Sequence, residues 1–386
     1  MKRFYHLQDV LSIPEEEMKQ IKRQAQEGDP AACYELARIH LLLHDCEDYL
    51  KSAHELLLKA QKGGIADAEA VIAAMMFRGE IEPYDPHGAA EMLENALKNN
   101  SEYASYFHLA NLIYGRFGIT QDVELALSTL DGLIATSDNP YWYSLKGDAL
   151  FYIGKVEESA AWFEKAVEGG VISAYSDLAL ARGMNDNGDF TGYDTYLNDL
   201  VEGDEKGDPM CMYYMALQRM IEYDEIDPED TETRDNYREL IVKALEICAD
   251  QCLPASFTLL GDIFNEGRLG IPADPAKAWE YYLKGSEFMH ESCFEKMYDM
   301  LHDGEIELGR MNREDAMDLC AVNGARLHNK KLLVAAVEAY RRGGLTQFAR
   351  EMEMYHIPAY DAIPDDDPLD DDFDGPDDDG RYDAWA

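Results

Sequence analysis

Basic residues are scarce in this 386-residue chain: 34 Lys and Arg stand against 77 Asp and Glu, for a formal net charge of −43. A field of that sign repels phosphate backbones and anionic lipid surfaces and steers basic proteins inward. The expected partner is therefore a protein or peptide, basic in character, with no direct nucleic-acid or membrane contact. No stretch approaches 18 apolar residues, so no segment reads as a spanning helix. The opening MKRFYHLQDVLSIPEEEMKQ has two bases but no apolar run before its acids, and does not read as a secretory signal. Cysteine is sparse and odd in number (Cys33, Cys46, Cys211, Cys248, Cys252, Cys293, Cys320), which argues against a disulfide framework and for a reduced, cytoplasmic setting. The phosphate-loop, dinucleotide, zinc-protease and nucleophile-elbow motifs are all missing. The reading is non-enzymatic, with no catalytic, cofactor-binding or metal residue assigned.

Sustained apolar–polar alternation is also lacking; apolar residues recur instead at three- and four-residue steps, as helices require. Small residues mark a repeat: Ala53, Ala89, Ala126, Ser159, Ala278 and Ala316, with two degenerate units centred on Tyr193 and Tyr237 in the long gap. A second mark begins six residues later, at Lys59-Ala60, Asn95-Ala96, Lys165-Ala166, Lys243-Ala244 and Lys284-Gly285. Small residues at fixed offsets let neighbouring helices approach closely. A first helix is expected before each mark, over 30–43, 66–78, 102–114, 140–153, 173–184, 209–222, 254–265 and 291–302. Gly- and Asp-bearing turns such as Gly118 to Asp122 and Gly270 to Asp274 end one helix and cap the next. The pattern predicts an all-α solenoid of about eight helix-turn-helix repeats of roughly 33–44 residues.

The clearest unit, LLGDIFNEGRLGIPADPAKAWEYYLKGSEF (259–288), resembles the Sel-one-like repeat, a relative of the tetratricopeptide repeat. Leu260-Gly261, Phe264, Gly267, Gly270-Ile271, Asp274-Pro275, Lys277-Ala278, Tyr281-Tyr282 and Lys284 carry the likeness. The unit at 109–130 keeps Gly118-Ile119, Asp122 and Ala126, and that at 142–170 looks more like a plain tetratricopeptide repeat. The resemblance covers roughly residues 28–325 and speaks to fold rather than function. It implies a right-handed superhelix whose first helices line the concave side.

Around that array, residues 1–27 and 326–357 are expected to form helical caps, since an array end exposes an apolar face. Residues 222–236 read as an acidic surface loop. From 358 onward the composition collapses to Asp, Pro and Gly; residues 361–386 alone hold twelve Asp and one Arg. Such a tail is expected to be disordered. Three features imitate metal or redox sites but read as packing or solvated surface instead. His40 and His44 share a helix face, but Leu41 stands where a zinc protease needs Glu. Cys248 and Cys252 have no second pair. The calcium-loop-like run from Asp370 to Gly375 ends on Arg381 where a bidentate Glu belongs.

Two stretches are left as candidate partner sites. With Leu260-Gly261 as the register, Thr258 and Asp262 face inward, and so do Tyr34, Arg38, Phe107, Asn111, Ser144, Asp148 and Tyr213 at matching positions. Aromatic and polar side chains so mixed suit a groove for a peptide segment. The tail adds Phe373, Tyr382 and Trp385 amid acid. The functional expectation is a scaffold or adaptor gripping a basic segment in a concave acidic groove. The alternative is an inhibitor or immunity-type protein that neutralises a cationic enzyme, such as a nuclease, by acidic mimicry.

Overall fold

The computed structural model describes residues 4–46, 48–81, 85–306, 312–327 and 329–355. Two helices open the chain, α1 (Leu7–Leu11) and α2 (Glu15–Glu27). Eight pairs follow: α3 (Pro30–Leu43) with α4 (Tyr49–Lys62), α5 (Ala66–Arg78) with α6 (Pro86–Lys98), α7 (Glu102–Tyr114) with α8 (Val123–Thr136), and α9 (Tyr141–Tyr152) with α10 (Val156–Glu168). The series continues with α11 (Ala174–Gly183) and α12 (Tyr193–Lys206), α13 (Pro209–Glu225) and α14 (Thr231–Asp250), α15 (Pro254–Glu266) and α16 (Pro275–Glu287), and α17 (Glu291–Asp303) and α18 (Arg313–Arg326). A last pair, α19 (Lys330–Arg342) and α20 (Thr346–Tyr355), ends the described chain. Each pair packs on the next, which makes the all-α solenoid that the repeat spacing predicts.

The local rules act as the sequence suggests. Asp29, Asp85, Asp122, Asp230 and Asp274 each accept a backbone N–H of the first turn of the helix they precede. Two turns share one geometry: Gly115 and Gly267 leave their helices at positive φ, and the N–H of Asp122 and Asp274 bonds back to the carbonyl of Leu112 and Phe264 at 2.9 and 2.7 Å. Ala53, Ala89, Ala126, Ser159 and Ala278 are wholly buried. Gly261 faces the ring of Tyr282 and Gly285 the sulfur of Cys293, and a Cβ at either would collide. The small-residue marks are close-approach points between helices.

Residues 222–236 differ from the expectation. They are not a loop but lengthen α13 and α14, leaving 226–230 as the connection. Arg234 explains this: it lies 4.0 Å over the Tyr223 ring and donates to the carbonyls of Tyr223 and Ile226, satisfying the exposed end of α13. One basic residue inside an acidic run thus continues the helices.

First and second helices have different surroundings. Successive first helices touch one another (α5 with α7, α7 with α9, α9 with α11, α11 with α13, α15 with α17) and are buried on nearly every side. Second helices bury a narrow stripe and expose the rest; α8 buries only Ala126 and Leu130. First helices are therefore inside and second helices outside.

Candidate functional site

The inner face is occupied by the chain itself. Phe4, Tyr5, Leu7 and Val10 are buried, and Phe4, Tyr5 and Val10 join a core cluster reaching as far as Met184. The Tyr5 ring sits among those of Tyr103, Tyr106 and Tyr141, with centroids 5.7, 4.6 and 4.7 Å away. His6 stacks on Tyr141 at 5.7 Å, and its Nε2 lies 2.7 Å from the Tyr106 hydroxyl. Asp9 closes the segment on itself by accepting the N–H of Tyr5 and His6 at 2.9 and 2.7 Å, and the Tyr141 hydroxyl donates to its other oxygen.

Two charged side chains anchor this segment from opposite parts of the array. Arg38, fully buried, donates to the carbonyls of Phe4 at 2.8 Å and Tyr5 at 3.5 Å. Its guanidinium also lies 4.9 Å over the Tyr103 ring. Asp208, likewise fully buried, accepts the Gln8 amide at 2.9 Å and the N–H groups of Ser176 and Met210. Burial pushes the carboxyl pKa of both Asp9 and Asp208 up to about 6, against hydrogen bonds that act the other way. Removal from water outweighs the donors. Some capacity is left over: Tyr34 Oη, Trp142 Nε1 and Gln8 Oε1 are buried without a hydrogen-bond partner. A buried polar group so placed costs about 1–3 kcal/mol.

The sequence-predicted inward positions are thus interior. Tyr34, Arg38, Phe107, Asn111, Ser144, Tyr213 and Thr258 are all buried, between 0% and 8% exposed, against other parts of the chain rather than along an open groove. Tyr34 and Arg38 meet the N-terminal segment; burial raises the pKa of Tyr106, and the nearby half-buried Asp148 adds to that rise. The others contact their own or adjoining units rather than the N-terminal segment. Phe107 stacks on Phe77 and Phe117, and Asn111 bonds the Phe107 carbonyl at 2.6 Å. Tyr213 packs beside Tyr214, and Thr258 lies 2.9 Å from His290. Asp262 accepts from Tyr282 and pairs with Lys296 at 3.1 Å. Phe373, Tyr382 and Trp385, with the tail from 358, lie outside the described residues. Sequence reading missed Tyr5, His6, Gln8, Asp9 and Asp208; the one signal was Phe4-Tyr5-His6, an aromatic run ahead of the first repeat.

The array also curls until its first units meet its last. The Tyr49 hydroxyl donates to the Glu287 carbonyl at 2.9 Å, and the Cys252 sulfur to that of Leu43 at 3.6 Å. His44 is stacked between Tyr49 at 3.8 Å and Phe288 at 4.3 Å, and burial there pushes its pKa down to about 4. Gly79 abuts Arg326, whose guanidinium donates to Tyr340 at 2.9 Å. Closure explains why the inner face cannot stand open to solvent.

Among the described residues, metal-type groups gather at one place on this seam. His40 does not pair with His44, which turns away in a left-handed cap at φ 49°; it bonds Asp45, with the Cys46 sulfur 3.9 Å away. The three ligand atoms lie within 4.8 Å of one another. Lys22 already sits 3.4 Å from Asp45, and burial with nearby Asp45 and Asp48 raises the Cys46 thiol pKa, which opposes thiolate ligation. Cys248 is buried with its sulfur 3.4 Å from the Pro209 carbonyl, apart from Cys252. A cleft of about 440 Å³ between α17, α18 and α19 is lined by Tyr298, Met317 and Ala335; at its rim Arg342 pairs with Asp318.

No protein-family model and no curated protein matches the chain. Among solved structures, it is similar to a Sel1 repeat protein from Oxalobacter formigenes, at 18% identity over 86% of this chain and 93% of that one, with a TM-score of 0.38. It is also similar to a protective antigen of uropathogenic Escherichia coli strains displaying an SLR fold, at 18% identity over 86% of this chain and 71% of that one, with a TM-score of 0.34.

Proposed function

We propose that this chain is a non-enzymatic protein-interaction scaffold whose outer, acidic face docks a basic protein segment. One observation carries the reading: an acidic surplus is exposed on α12, on α14 and around the α13–α14 connection. Residues 194–250, spanning α12 to α14, hold seventeen acids against five bases, and among those acids Asp199 and Asp208 alone are buried. Asp224, Glu225, Asp227, Glu229, Asp230, Glu232 and Asp235 are all exposed around the α13–α14 connection. Arg234 and Arg238, which could offset them, are engaged within the hairpin. Such a field raises encounter rates and selects basic partners more than it adds affinity. The inner face is taken by residues 4–11, so the outer helices supply the free area. All seven cysteines are free thiols, which suits a reducing cytoplasm.

The test is affinity capture from the native cell with the full-length chain at about 0.05 M and about 0.5 M salt. Two variants run beside it, one with Asp224, Asp227, Glu229 and Asp235 made neutral and one ending at residue 360. Basic proteins should be retained at low salt, released at high salt, and lost from the neutralised variant. Capture indifferent to salt and to those four substitutions sinks the reading. Loss only on removing the tail transfers the site to the segment bearing Phe373, Tyr382 and Trp385.

A further inference from the structure

We propose that the inner face is a peptide-recognition site whose resident ligand is the chain's own segment Phe4–Leu11, and that it accepts the same segment from a second copy of the chain. This goes beyond the outer-face reading and does not depend on it.

The segment is held as a bound peptide is held. Its backbone is read by Arg38 through the Phe4 and Tyr5 carbonyls. Its side chains are read one by one: Tyr5 by an aromatic pocket, His6 by Tyr106, Gln8 by Asp208. Aromatic anchors with a few placed polar groups are how grooves select peptide segments. The readers come from α3, α7, α9 and the start of α13, so no single repeat owns the contact. Each repeat meanwhile packs on its neighbours without the segment's help. In an array of this kind stability is carried by units and their interfaces, so a guest seated across four of them is separable. Unpaired Tyr34 Oη and Trp142 Nε1 beside it show a lining with more hydrogen-bonding capacity than the guest fills.

The segment's exit identifies the second occupant. Leu11, Ser12 and Pro14 face solvent, and beyond them α2 begins directly. An element joined through a short surface hinge to a site built for it is the arrangement that exchanges between copies at low cost. The same residues in another molecule carry the required sequence.

A protease sequence placed between Ser12 and Pro14 of the full chain tests this. After cleavage the freed segment should stay bound, helix content should be unchanged, and a labelled synthetic peptide of residues 1–13 should exchange into the site. Peptides with Tyr5→Ala or Gln8→Ala should compete at least tenfold more weakly. Collapse of the helical signal on cleavage, or uptake of the labelled peptide without regard to those substitutions, overturns the proposal. Hydrogen exchange on the uncut chain gives a second reading. Amides of residues 5–11 should open while those of α7 and α9 remain protected; opening only with global unfolding also overturns it. No basic partner enters either experiment, so their failure leaves the outer-face reading where it stood.

Discussion

The inner and outer faces of this solenoid are built from the same repeats and follow opposite electrostatic rules. Inside, charge is rare and each case is answered individually: Arg38 by two carbonyls, Asp208 by Gln8 and backbone N–H groups, Asp67 by Ser101 and Tyr103. Outside, exposed carboxylates crowd α12, α14 and the α13–α14 connection with few cations to meet them. Burial makes an unanswered charge intolerable, whereas water and salt make it cheap. The positions expected to line an acidic groove are mostly buried against the chain itself, while exposed carboxylates stand where water solvates them.

The comparison breaks hardest at the aromatic anchor. Tyr5→Ala empties a pocket of three tyrosines and should cost about 3–5 kcal/mol of stability, seen as a lower urea midpoint. The outer Leu125→Ala should cost under about 0.5 kcal/mol. Arg38→Met keeps most of the volume but removes the donors to Phe4 and Tyr5. It should cost about 2–3 kcal/mol, with amides of residues 4–9 exchanging faster than those of α9.

pH sharpens the contrast, because the segment and the seam respond with opposite signs. The carboxyl pKa of Asp208 rises from 3.8 to about 6 on burial, so its neutral form is favoured in the folded chain. Its contribution is full below pH 4 and is lost as pH rises through 6, by about 1–3 kcal/mol. Asp208→Asn should flatten that part of the stability profile. At the seam, the pKa of His44 falls from 6.5 to about 4, so its contribution is present above 6.5 and lost as pH falls toward 4. A His44→Phe variant should retain stacking on Tyr49 and Phe288 and lose that acid-side decline. The smallest effect belongs outside. Breaking the exposed Lys98–Glu94 pair should change stability by under about 0.5 kcal/mol, while added salt should raise the melting temperature of the whole chain by screening its self-repulsion.

Much of this was legible in single residues. Asp caps, Gly exits and buried alanines are local devices, and the first-helix boundaries at Pro30–Leu43, Ala66–Arg78 and Glu102–Tyr114 follow from them. Arg234 shows where local reading stops: an acidic run looked like a loop until one cation was seen bridging carbonyls across it. The site was less legible still. Register alone pointed Tyr34 and Arg38 inward, but nothing adjacent to them said that Phe4 and Tyr5 would be waiting.

By itself the sequence determined the helices, their pairing and the acidic character of the chain, because these depend on neighbours within about forty residues. The tertiary structure alone decided that the array closes on itself and that residues 4–11 fill its interior. Gln8 meets Asp208 across 200 positions, and Tyr49 meets Glu287 across 238. Small rotations between successive repeats add up along the stack, and only their sum brings such distant residues within hydrogen-bonding reach.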